Sequence, residues 1–206
     1  MKKLLLLAAF VLAFGVGCYR SNYCGGDFST EWEVCVFLDE HNQSVTKEKV
    51  DEITQVIIDV IADRYPSYEG EIHWGFASTE VNLYFLKEKT EYILEVERRM
   101  AEREGRESYN IGGLTEIALV DPQINDIYVQ YINVYVIWHD DMPFCLERSS
   151  LGHEMIHVLA LFSEGVDWQL ELGDSTEEMH PPKWFGYENG SVAEEVYRRL
   201  DETCVF

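Results

Sequence analysis

The spacing of apolar positions changes several times along the chain, and each change marks an element. Val34, Val36 and Leu38 alternate with Cys35 and Phe37, which predicts a short strand. Between Lys47 and about Tyr65 the period lengthens: Val50, Ile53, Val56 or Ile57, and Val60 or Ile61 recur at helical spacing. Ser44 or Thr46 is placed to cap that helix and Pro66 to stop it. Ile72 to Phe76 and Val81 to Phe85 are rich in aromatic residues and read as strands. Glu88 to Arg106 reads as an exposed helix, with Glu95, Arg99 and Arg103 at four-residue intervals that suit ion pairs, and Gly112-Gly113 breaks it. Asp121-Pro122 starts a turn, Ile127 to Trp138 is the strongest strand candidate, and Val192 to Leu200 reads as a helix. No repeat, low-complexity linker or shift of composition interrupts residues 31–206. The expected class is α+β: one domain with a small mixed or antiparallel sheet packed against a central helix and further helices.

The amino terminus departs from this pattern. Met1-Lys2-Lys3 is basic, and Leu4 to Val16 is an apolar run too short to span a bilayer as a stable anchor. Residues 1–17 therefore read as a signal peptide. The run ends in Gly15-Val16-Gly17-Cys18, which resembles the lipobox of bacterial lipoproteins, with Gly15 where that motif usually has Leu. The resemblance implies cleavage before Cys18, lipidation of Cys18, and a tether over residues 18–30 in the cell envelope. With Tyr19 after the cysteine in place of the Asp that retains some lipoproteins at the inner membrane, it favours the outer membrane where a cell has one. Five cysteines are present, and lipidation of Cys18 leaves Cys24, Cys35, Cys145 and Cys204, which allow three pairings. Cys24–Cys35 with Cys145–Cys204 is the favoured arrangement; the longer loop would stabilise by about 4 kcal/mol and the shorter by about 3.

Charge narrows the partners. The chain has 38 acidic and 16 basic side chains, a net −22, which repels both nucleic acid and anionic headgroups. Membrane association is expected through the lipid alone. A self-repelling exterior or a cleft for neutral or basic substrates is compatible with this charge; oligomeric state is not legible.

Chemistry concentrates in His153-Glu154-Met155-Ile156-His157. Helical residues four apart share a face, so both imidazoles can reach one metal ion. At about 100° per residue, Leu151, Met155, Val158 and Phe162 fall on the opposite side as an apolar back. Ser149 or Ser150 would cap the start.

A strand such as Ile127–Trp138 followed by a helix bearing His-Glu-x-x-His resembles the zincin superfamily of metalloproteases, over about residues 125–190. The resemblance implies Zn2+ held by His153, His157 and a third protein ligand, an open water position, and Glu154 as general base in peptide-bond hydrolysis. It also implies that the preceding strand forms the edge on which an extended peptide substrate lies. Ala160 and Ser163 stand where a metzincin needs Gly and His, which excludes that subfamily.

For the third ligand, His180 is favoured. It lies in a polar loop that begins at Gly173-Asp174 and is followed by Pro181-Pro182, an order also similar to small bacterial lipoproteins with a Gly-Asp and a later His after the zinc helix. Glu194 or Glu195, on the last helix, is the rival, and Glu177 and Glu178 read as solvated. His139 and Tyr187 are candidates to stabilise an oxyanion. Trp184, Phe185 and Tyr187 would pack in the core or wall a pocket, His73 reads as a core histidine and His41 as exposed. A non-catalytic zinc module with four protein ligands, serving structure or interaction, is the alternative to the enzyme.

Overall fold

The computed structural model describes residues 24–40, 42, 44–108, 110–120, 128–138, 144–164, 180, 182–185 and 190–202. Cys18, His41, His139, Glu177, Glu178, Tyr187 and Cys204, and the side chain of Cys145, lie outside the described residues, so the second disulfide pairing does too.

Five strands form one mixed sheet: β1 (Phe28–Ser29), β2 (Cys35–Leu38), β3 (Glu80–Leu86), β4 (Gly113–Val120) and β5 (Tyr128–Ile137). Their order is β1-β2-β3-β5-β4; β2, β3 and β5 are parallel, and the two outer strands run antiparallel to their neighbours. The parallel strands explain the apolar alternation. Val81, Leu83 and Phe85 on β3 and Ile132, Val134 and Val136 on β5 are buried on one face. The other face carries Phe37, Tyr84 and Tyr135, stacked ring on ring at 4.6 and 5.2 Å.

Six helices accompany the sheet among the described residues: α1 (Lys47–Arg64), α2 (Glu69–Ser78), α3 (Glu91–Glu104), α4 (Phe144–Glu164), α5 (Pro182–Phe185) and α6 (Val192–Glu202). The Thr46 hydroxyl caps α1, accepting from Lys49 N, and Pro66 opens a short 3-10 turn, Pro66–Tyr68, that ends it. Thr90 caps α3, which closes on Gly105 in the left-handed region (φ 66°) that glycine adopts without strain. The main core gathers α1, α2, α4, α5 and α6 on the buried face of the sheet. No helix among the described residues is long and apolar enough to cross a membrane.

Several sequence expectations change. Ile72–Phe76 is helical, within α2: Ile72 and Phe76 are buried four positions apart, and Gly75 lies so close to Phe162 that a Cβ there would meet its ring at 2.3 Å. Aromatic content, which suggested a strand, was here a helix stripe. His73 is exposed on α2 beside Trp32, rather than in the core. A strand that the sequence pattern did not reveal, β4, follows Gly112. It takes the sheet edge, so β5, the expected edge, is interior. The ordered chain also begins before residue 31. β1 pairs with β2, and Cys24–Cys35 is a disulfide that fastens this segment to the sheet, as its expected pairing required.

Candidate metal centre

The site is built on α4. From Leu151 to Leu161 every residue except His153 is buried. The apolar back expected from the sequence is present in Leu151, Met155 and Val158, but Ile156, Leu159 and Leu161 are buried as well. Six such side chains, at about 1.5–3 kcal/mol each, supply roughly 10 kcal/mol of burial. That outweighs the cost of carrying neutral polar groups into the same interior, about 1–3 kcal/mol for each one left unsatisfied. Ser149 and Ser150 lie inside α4, which begins earlier, at Phe144, so neither caps it.

Three imidazoles meet at this helix. His153 and His157 project from successive turns, and His180 arrives just before α5; their ligating atoms all lie within 4.8 Å of one another. The Nε2 atoms of His153 and His180 are 3.1 Å apart. The Phe185 ring packs against all three, at centroid distances of 4.3 Å from His157, 4.8 Å from His180 and 4.9 Å from His153. Enclosure sets the charge state. Burial first, and the neighbouring His180 second, bring His153 down to about 4; burial and the other two histidines hold His157 well below its ordinary value. His153 and His157 are therefore neutral lone-pair donors at neutral pH, the state metal binding requires.

The donor set fits a metal. Tetrahedral zinc at about 2.0–2.1 Å from each nitrogen places ligand nitrogens about 3.4 Å from one another, close to the 3.1 Å between His153 and His180. An outer partner is also present: the Tyr197 hydroxyl on α6 lies 3.0 Å from His153 Nδ1. With Nδ1–H donating to that hydroxyl, Nε2 would be the nitrogen left to ligate.

Glu154 occupies the opposite flank. Its carboxylate accepts from the Thr115 hydroxyl on β4 at 2.7 Å, and the same hydroxyl lies 3.3 Å from the Glu154 carbonyl oxygen. Burial pushes the carboxyl up to about 7, against the smaller lowering effect of Thr115. Gly113 makes the fit possible: a Cβ there would stand 2.6 Å from Glu154 Cγ and 2.8 Å from its Oε1. On the far side Gly152 gives α6 its approach, with Leu200 and Val196 against it.

The rival ligands are engaged elsewhere. Glu194 Oε2 accepts from Gly190 N at 2.7 Å while Glu194 N donates to the Ser191 hydroxyl, a reciprocal cap at the start of α6. Glu195 pairs with Arg198 and Arg199, which hold it at about 2. Sequence reasoning missed Tyr197, Thr115 and Gly113. Each reaches the site across 39 or more positions of chain, and no local spacing signals such contacts. The chain matches no protein-family model, no curated protein and no solved structure.

Proposed function

We propose that this chain is a zinc-dependent hydrolase of peptide bonds, of zincin type, exported and held to the cell envelope by lipid on Cys18. One observation carries the reading: three imidazoles converge, and the residue next to the first of them on the same helix is a buried carboxyl, Glu154. His153, His157 and His180 would hold the ion, with Tyr197 fixing the first of them. Bound there, zinc supplies Lewis acidity, lowering the pKa of a water and polarising a carbonyl. Glu154 accepts the proton of the attacking water and returns it to the leaving amine, while Thr115 keeps its carboxylate against β4. As the edge strand, β4 offers free backbone groups to an extended peptide, the role first expected of β5. The Cys24–Cys35 bond supports an oxidising compartment.

One observation favours a second reading, a non-catalytic zinc module. Glu154 is 5% exposed, His157 is 7%, and the Phe185 plate lies on all three rings, so the described residues enclose the site closely. The Glu154→Gln variant separates the two. Zinc stoichiometry should stay at one per chain while cleavage of a quenched fluorescent peptide library falls by about 10²–10⁴-fold. Zinc bound with no cleavage by the parent chain would leave the module reading standing, and absence of zinc would remove both.

A further inference from the structure

His180 reaches the trio from the far side of a connection that leaves α4 at Glu164 and returns at α5. The helix that follows it, Pro182–Phe185, is a single turn, and a single turn has too few hydrogen bonds to hold its own geometry. Something else must fix it. Trp184 is 1% exposed and packs beside Tyr65 and Tyr68. Between them lies Lys183. Its ammonium stands over three aromatic rings, 4.5 Å from the Tyr65 centroid, 4.9 Å from Tyr68 and 5.4 Å from Trp184. It donates to the Tyr68 hydroxyl at 2.9 Å and to Glu164 Oε1, and Tyr68 donates in turn to the same Glu164 oxygen at 3.0 Å.

The three groups close a ring of hydrogen bonds, and the ring ties the last residue of α4 to the helix after His180. Glu164 lies on the same helix as His157, two turns further on. The clamp thus references the His180 segment to the helix that carries the other two imidazoles.

We propose that Lys183 is a positioning residue: through its cage of Tyr65, Tyr68 and Trp184 and its pair with Glu164, it orders the α5 turn and presents His180 to the trio before any ion arrives. Ordering the segment in advance removes an entropy cost from ligand binding. For its affinity arm this inference rests on the metal reading above; for its structural arm it does not.

The test uses the intact protein with Lys183→Met, which keeps the stem and removes the charge, and Lys183→Arg, which restores charge and stacking. In the metal-free protein, NMR correlations of the histidine ring protons report on His180, whose signal is identified by its loss in His180→Ala. Packing on Phe185 displaces that signal from its value in an unstructured chain. Lys183→Met should return it towards that value and Lys183→Arg should restore the displacement, with the His153 and His157 signals retained in both. Zinc titration against a chromophoric chelator should show about tenfold weaker binding in Lys183→Met. In a His180→Ala background the same substitution should change affinity no further, because Lys183 acts through His180. A His180 signal unmoved by Lys183→Met overturns the proposal, as does an equal loss of affinity with His180 absent. Parent protein that takes up no zinc refutes the metal reading alone, and the NMR arm still decides the clamp.

Discussion

Glu95 on α3 and Glu154 on α4 are the same side chain in opposite surroundings. Glu95 is partly exposed, bonded to Arg98 at 2.7 Å and Arg99 at 2.8 Å, and those two cations hold it at about 2. Glu154 is enclosed by apolar side chains, has the neutral Thr115 hydroxyl as its partner, and rises to about 7. Water and salt screen the charges of Glu95, Arg98 and Arg99, so their ion pairs contribute little. α4 carries ionisable groups stripped of water, where an added cation would act at close to full strength. Glu95 and Glu102 belong to the first kind of surface. The chemistry belongs to the second.

The widest test of that contrast is removal of a ligand. His157→Ala should weaken zinc binding by more than about 100-fold, beyond the effect of losing an outer partner, as measured by chelator competition. Tyr197→Phe, which keeps the ring and removes the hydroxyl from His153, should cost about 10–100-fold in the same assay; unchanged affinity would show that Tyr197 does not fix the tautomer.

The third test concerns protons. In the metal-free chain the Glu154 carboxyl sits above its unfolded value of 4.5, so its contribution to stability is full below that value and is lost as pH rises through about 7. Glu154→Gln, neutral throughout, should therefore melt higher than the parent at pH about 8 and no higher at pH about 5. The histidines act with the opposite sign. His153 falls from 6.5 to about 4, so the unfolded chain binds the extra proton in that window, and stability falls as pH drops through it. The smallest effect should come from α3: Arg98→Ala, read by thermal melting, should leave the midpoint unchanged within error, although it breaks bonds to both Glu95 and Glu102.

Much of the site helix was legible because its information is local. The four-residue spacing of His153 and His157 places both rings on one face whatever surrounds them. His180 was legible only as a histidine in a polar loop followed by prolines; what brings it to the trio lies in Tyr68, Glu164 and Lys183, which no periodicity connects. The same division holds for the fold. α1 announces itself by apolar period and cap, α3 by charges four residues apart, β3 by its aromatic content and β5 by its Tyr, Val and Ile. β4 does not, because two of its positions, Gly113 and Thr115, meet Glu154 instead of adding apolar bulk, and Ile117 alone does not make an alternation. Ile72–Phe76 misled because a short aromatic run satisfies strand and helix composition alike, and only its packing against Phe162 decides.

The disulfide at the start of the chain has a mechanical consequence. A pull on the N-terminus enters the described fold at Cys24. Without the bond, the load would fall on β1, a two-residue strand with a single neighbour. The covalent link to Cys35 diverts it into β2, which is paired on both sides and has no free edge to peel. Load applied at Cys24 thus enters the sheet three strands away from β4 and the Glu154 carboxylate that β4 holds.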